Sequence, residues 1–327
     1  MSLDADNIVD RRRLRRKLTF WRVVAVLVAI VAIAVVALRF TGRDSILTSA
    51  SGHNIARVTI KGLIRNDQDR SEALDKLANS RVGAVIVHID SPGGTTSGAE
   101  QLFGSLRAVA AKKPMVVVVD GLAASGGYIA ALASDHVIAQ QSSLVGSIGV
   151  LFQYPNFTDL LKTVGVKVEE VKSSPLKAAP NGFEPTSPEA RKAIEALVLD
   201  SYDWFKQLVK ERRQMDGANL ETVSDGRVFT GRQAIQLKLV DELGGEETAI
   251  AWLAKTKNVD PKWPVRDWKL SSRLGDLSFL HMAAVALLDA VGLKSLARSI
   301  EDAATIQAIE RLNLDGLLAL WHPSTTN

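Results

Sequence analysis

Ser125 stands where a buried run of residues stops. In "VDGLAASGGYIAALASD", residues 119–135, the valines Val116–Val119 end at Asp120, and the serine follows among alanines and glycines at the mouth of a helical pattern. A tight strand-to-helix turn needs small residues for steric reasons alone. The same small residues also let another backbone approach the hydroxyl closely. A serine hydroxyl is a weak nucleophile until a base takes its proton. Acyl chemistry also needs donors aimed at the oxygen on which charge develops.

A second turn offers such donors. "HIDSPGG", His88 to Gly94, ends the preceding apolar run. In a parallel sheet, ligands gather beyond the carboxyl ends of the strands. The Gly93-Gly94 turn and the Ser125 turn both fall at that edge, so each can present a backbone N–H to one oxygen. Taken alone, Gly93-Gly94 reads as an ordinary turn.

The five histidines, at 53, 88, 136, 281 and 322, are scattered, and none is spaced from another as metal ligands are. His88 falls in an apolar strand pattern, and His136 follows Ser125 across a helix. Triad members converge in space, so spacing alone leaves a Ser-His-Asp arrangement open. There is no P-loop lysine and no G-x-G-x-x-G opening a helix. No metal and no cofactor is expected. The chain has no cysteine, which excludes disulfides, thiolate catalysis and cysteine-ligated metals.

The elements that must position these turns alternate. "IARVTIKG" reads as a strand, 70–80 as a helix, "GAVIVHID" as a strand, 97–111 as a helix and "PMVVVVD" as a strand. A helix begins near Gly126, followed by short strands at "HVIA" and "SIGV". The strands are continuous apolar runs, as in a parallel sheet covered on both faces. Ser187 and Pro188 are the N-cap and first residue of a long helix. Ile194, Leu197, Val198, Tyr202, Phe205, Leu208 and Val209 form its expected buried stripe.

The N-terminal region has a different character. Arg11, Arg12, Arg13, Arg15, Arg16 and Lys17 precede "FWRVVAVLVAIVAIAVVALRF", residues 20–40, of which 23–38 are all apolar. As a helix, that apolar run is ~24 Å long, a little short of the ~30 Å hydrocarbon core. Phe20, Trp21 and Phe40 extend it as interfacial aromatics, while Arg22 and Arg39 snorkel outward. The positive flank keeps the N-terminus cytoplasmic. A cleaved signal peptide is the competing reading, against which stand the length of the run and the poor cleavage site at Leu38-Arg39-Phe40. The chain holds 40 basic and 36 acidic residues. Much of that excess lies near the N-terminus, so the charge gives no argument for nucleic acid.

Four motifs in order resemble one family. "DSPGG", "AASGGYIA", "GSIGV" and "KSSPLK", continued by "GRVFTGRQAIQLKLVDELGG" at 226–245, are similar to signal peptide peptidase A of peptidase family S49. That family is a membrane-bound bacterial serine protease with a Ser-Lys dyad, on the Clp protease/crotonase-like α/β fold. The resemblance covers residues 54–255. It implies Ser125 as nucleophile, Lys177 as general base, Ser147 as the hydroxyl that orients the lysine, and the Gly94 and Gly126 amides as the oxyanion hole. Read alone, Lys177 is an exposed surface lysine; the family spacing to Ser125 makes it the base. Its neighbours Pro175, Leu176, Ala178 and Ala179 bring no carboxylate, so desolvation is the available way to keep it neutral. Lys172 follows Glu169-Glu170 and should stay charged. Two positions depart from the family. Ile129 stands where a second aromatic is usual, which bears on a substrate pocket, and Lys238 stands where glycine is favoured, at a turn.

The expected organisation is a basic cytoplasmic tail (1–19), a transmembrane anchor (20–40), a linker (41–52), a catalytic domain (53–255) and a C-terminal helical extension (256–327). The apolar run 277–288 is too short to span a bilayer and would pack on the domain, join a neighbour or lie on the membrane. The resemblance implies an enzyme of the bacterial inner membrane, with its domain outside the cytoplasm, that degrades cleaved signal peptides and other short hydrophobic peptides. In the single-domain form it also implies a closed ring in which each serine meets the lysine of the next subunit. Two other readings are an idle membrane scaffold on the same fold and a crotonase-type acyl-CoA enzyme. The latter is at odds with an outward-pointing anchor.

Overall fold

The computed structural model describes residues 53–270 and 318–321. The anchor segment 20–40, the linker and the run 277–288 lie outside the described residues. Among the described residues no helix is long and apolar enough to cross a membrane.

The chain opens with β1 (Ile55–Ile64), α1 (Gln68–Ala78), β2 (Ala84–Thr95), α2 (Thr96–Lys112), β3 (Met115–Ala124) and α3 (Gly126–Ala131). Then come β4 (Val137–Ala139), β5 (Leu144–Gly146), α4 (Thr158–Thr163), α5 (Pro188–Arg213) and α6 (Gly217–Val223). The remainder is β6 (Val228–Thr230), α7 (Gly231–Gln236), β7 (Glu242–Leu243), α8 (Glu246–Lys257), β8 (Val265–Trp268) and β9 (Leu318–Leu320). The strands form one sheet whose main path runs β6-β5-β3-β2-β1-β8. β4 joins β3 and β7 off this path, and β9 joins β2. The β1–β2 and β2–β3 ladders at its centre are parallel.

Both faces of the central strands are buried, which is why their sequences do not alternate. Val58, Val85, Val87, Ile89, Val117 and Val119 pack beneath the first three helices and the second half of α5. Ile55, Ala84, Ile86, Val116 and Val118 pack on the other face against Ala249 and Leu253 of α8. Each fully buried side chain of this size contributes about 1.5–3 kcal/mol. This mixed sheet with flanking helices fits the Clp protease/crotonase-like architecture.

Several expectations change. The strand expected at "SIGV" lies just before it, at Leu144–Gly146. Gly146 (φ 108°) closes the strand, and Ser147 (φ 51°) takes left-handed backbone just beyond its end. Ser187 does cap α5, accepting from the Ala190 amide at 3.1 Å with Pro188 at the first turn. Only the later part of its apolar stripe is covered, however. Phe205, Leu208 and Val209 are buried, whereas Leu197 is 53% exposed. The sheet also continues past residue 255: β8 pairs with β1. Within the expected helical extension, residues 318–320 form a strand.

Candidate active site

β2 and β3 run side by side as far as Ser91 and Ala123, and beyond that they part. β3 leans onto β5, pairing Ala124 with Gly146. β2 continues beside β1, pairing Gly94 with Ile64. The two small-residue turns therefore lie on either side of the point where neighbouring parallel strands diverge.

Ser125 is the first residue after β3 and takes φ 53°, ψ −117°. An L-residue occupies such backbone at a cost of roughly 1–3 kcal/mol, and residues held that way cluster at functional sites. The surroundings over-determine it. Its amide donates to Gly146 O at 2.8 Å, and its carbonyl accepts from the Tyr128 and Ile129 amides at 2.9 and 3.0 Å. The residue is 1% exposed. Its hydroxyl has one long contact, to Gly149 O at 3.5 Å. Gly126, directly after it, is the first residue of α3 and is buried. At a helix start its amide has no partner within the helix.

The Gly94 turn is built for close approach. A Cβ at Gly94 would lie 1.7 Å from Ile64 O, so only glycine fits. Gly93 has φ 101°. Sequence reasoning missed the residue that ties this turn down, Ser91. It is fully buried, donates to Gly62 O at 2.7 Å and accepts from the Gly93 amide at 3.1 Å. Gly127 packs α3 against the same place, since a Cβ there would lie 2.6 Å from Ser91 O. A buried serine towards the end of β2, after "VIVHID", gives no periodic signal, so only the fold reveals its role.

Ser147 follows β5 in left-handed backbone, and its amide donates to Arg227 O at 2.8 Å. Among the described residues its hydroxyl has no hydrogen-bond partner. Lys177 lies in the irregular stretch between α4 and α5 and is exposed, with its amide on Ser174 O. Within the chain no hydrogen bond joins its ammonium to Ser125. Lys172 behaves as its neighbours suggest. It bridges Glu170 at 2.6 Å and Glu184 at 2.5 Å, and the Glu170 contact is the largest of the causes that raise its pKa.

The histidines are occupied elsewhere. His88 is held between Asp120 at 2.8 Å and Glu246 at 3.0 Å, and Glu246 also accepts two bonds from Arg57, at 2.5 and 2.6 Å, while the third Arg57 bond goes to Asp267 at 2.8 Å. The Arg57 guanidinium is the main cause holding the Glu246 carboxyl below its ordinary range. His136 stacks on Trp252 at 4.4 Å and meets Glu242 at 3.2 Å. Neither histidine bonds Ser125. Among the described residues no group of carboxylates and histidines could hold a metal ion. Ile129 is wholly buried in the core. Tyr128 beside it is also buried, with its hydroxyl on Leu239 O at 2.8 Å, and burial pushes that phenol up.

The profile of peptidase family S49 matches residues 107–260. A protease-named protein of Synechocystis sp. is 34% identical over 209 residues, 63% of this chain and 76% of that protein. Protease 4 of Salmonella typhi is 31% identical over 216 residues, 66% of this chain but 35% of its own length. The chloroplastic serine protease SPPA of Arabidopsis thaliana is 30% identical over 224 residues, 66% of this chain and 33% of that protein. A proteolytic centre is what a buried, strained serine beside a forced-glycine turn can serve, and these relatives agree with it. The chain belongs to peptidase family S49, in its signal peptide peptidase A type. It is a protease.

Proposed function

We propose that the protein is a membrane-anchored serine endopeptidase that cuts cleaved signal peptides and other short hydrophobic peptides outside the cytoplasm. Ser125 attacks the scissile carbonyl and Lys177 takes its proton. The Gly94 and Gly126 amides hold the oxyanion, and Ser147 orients the lysine. The reading rests above all on one observation: Ser125 is held in left-handed backbone, buried, directly before a helix start and across a strand divergence from a turn that admits only glycine. The Arabidopsis relative is named as a serine protease, which agrees with a serine nucleophile. The basic cluster and apolar run of residues 11–40 support the anchor and an inward N-terminus.

The lysine reaches the serine from a neighbouring subunit in a closed ring. Lys177 is exposed in its own chain and lies in a segment with little to pack on. Val164, Val166, Val168, Val171, Leu176 and Phe183 of that segment are all exposed. A head-to-tail contact that closes makes a ring, and covering this segment would supply the desolvation that a neutral lysine needs. The test is a fluorophosphonate probe followed by peptide mapping. Label on Ser125 carries the reading, and folded protein that takes no label would instead be an idle scaffold.

A further inference from the structure

The slot opened where β2 and β3 part is filled by the chain itself. β9 runs antiparallel to the end of β2, pairing Leu318 with Thr95, Ala319 with Gly94 and Leu320 with Gly93. The Trp321 amide donates to Pro92 O at 2.7 Å. Hydrogen-bonded pairs recur every second residue in an antiparallel ladder, so Ala319 and Gly94 form the next such pair, with the Ala319 carbonyl opposite the Gly94 amide. On its other edge, Leu318 exchanges two bonds with Leu151, both 3.0 Å. Leu151 lies two residues past Gly149, whose carbonyl is the contact of the Ser125 hydroxyl. The segment is thus a middle strand between the two stretches that flank Ser125, and Leu318 is 9% exposed.

An extended peptide that adds a strand to open backbone edges gains affinity from the main chain, largely whatever its sequence. A protease cleft of this geometry offers such edges to any substrate. We infer that residues 318–321 act as an uncleaved internal strand that occupies the substrate track and competes with incoming peptides. The inference rests on reading Ser125 and Gly94 as the peptidase site. A tethered occupant meets the slot at an effective concentration of about millimolar, so a free peptide of ordinary affinity is displaced until the tail leaves.

The test uses the full chain with Ser125→Ala, so that binding needs no turnover. A fluorescent peptide of the sequence DGLLALWHP, residues 315–323, is titrated against this protein and against the same protein carrying Leu318→Pro, which removes the amide bonded to Leu151. Leu318→Asp, which keeps the amide but places a carboxylate in a buried position, is the second variant. The peptide should bind both tail variants at least ~10-fold more tightly than the unaltered tail allows. With Ser125 restored, the tail variants should show a lower KM for a short peptide with kcat little changed. Equal binding to all three proteins, or binding to none, overturns the inference. So does a wild-type chain found shortened to end at Ala319, because the tail is then a substrate. Peptide binding that follows the tail without any turnover in the wild type would sink the peptidase reading, and would leave only the tail's seating on residues 93–95 and 151.

Discussion

The Ser125 amide donates to the Gly146 carbonyl at 2.8 Å. This bond closes the last rung of the parallel β3–β5 ladder, where Ala124 faces Gly146. Ser125 and Ser147 are therefore the next residues out of two adjacent strands, and both turn into left-handed backbone, at φ 53° and 51°. Two hydroxyls are thus presented from neighbouring strand ends by the same backbone device. One is the proposed nucleophile, and the other has no partner among the described residues.

The dyad should show itself by complementation. Ser125→Ala and Lys177→Ala should each lower kcat by at least ~1000-fold, as loss of a nucleophile or its base does, with circular dichroism unchanged. His88→Ala and His136→Ala should keep turnover. Mixing the two dead proteins under exchange should restore part of the activity, because an intact serine can then meet a neighbour's intact lysine. Demonstrated mixing without recovery would place both groups in one chain.

Gly94→Ala should cost activity and stability together. Its Cβ would meet Ile64 O at 1.7 Å, so the strand end must move and carry the amide away from the proposed oxyanion position. Loss of one such donor costs about 100–1000-fold in kcat. Ser91→Ala is the milder probe. It leaves the Gly62 carbonyl and the Gly93 amide without their buried partner, a loss of about 1–3 kcal/mol. Denaturant titration beside steady-state kinetics separates the two effects, and unchanged kcat in Gly94→Ala would remove Gly94 from the oxyanion hole.

Assembly should fail before folding does when exposed apolar side chains of the irregular segment and of the first half of α5 are charged. Val171 and Leu197 are 106% and 53% exposed. Val171→Asp and Leu197→Asp therefore disturb no core packing, and each should change stability by less than about 0.5 kcal/mol. Analytical ultracentrifugation should find smaller species, and activity should fall with them. Assemblies of unchanged size with both substitutions would show that neither side chain lies in the subunit contact.

Much of the site was readable because backbone requirements leave a trace in residue type. The small residues around Ser125 and the Gly93-Gly94 pair marked two turns at one sheet edge, and Ser187-Pro188 marked a helix start. What escaped reading depends on distant parts of the chain. Ser91 matters through Gly62 and Gly93, a partnership set by how β1 and β2 lie together. β9 was hidden because a short apolar run such as "LLALW" suits a helix or a strand equally, and its partners are residues 93–95 and 151. The strand expected at "SIGV" was displaced because the left-handed turn of Ser147 cannot be seen in the residue names.

Acid should weaken the fold through Glu246. Its carboxyl is held below the ordinary range by Arg57 first, with His88 adding to it. A carboxyl depressed in the folded state binds fewer protons there than in the unfolded chain, so stability rises with pH between the depressed value and the ordinary ~4.3. The contribution is complete above that window and is lost as the pH falls through it. Glu246→Gln should flatten this acid limb and lower stability at neutral pH by about 1–3 kcal/mol, since it weakens charged bonds to both Arg57 and His88. Chemical denaturation at a series of pH values reads both. An acid limb unchanged in the variant would assign the pH dependence to other carboxylates.

Lys238→Gly should stabilise the protein. Lys238 takes φ 57° at the turn after α7, where the family resemblance favours glycine, and a residue with a Cβ pays roughly 1–2 kcal/mol for left-handed backbone. Its side chain is exposed. The contact that matters there belongs to the backbone, since Arg213 donates to Lys238 O at 2.6 Å, and glycine keeps that carbonyl. Against the gain stands the greater freedom of glycine in the unfolded chain, about 0.4–1 kcal/mol. The net effect should be a rise of up to about 1 kcal/mol, with kcat and KM unchanged because the turn lies outside the site. Thermal and denaturant unfolding of the variant measure it, and a loss of stability would mean that the lysine side chain makes a compensating contribution at this turn.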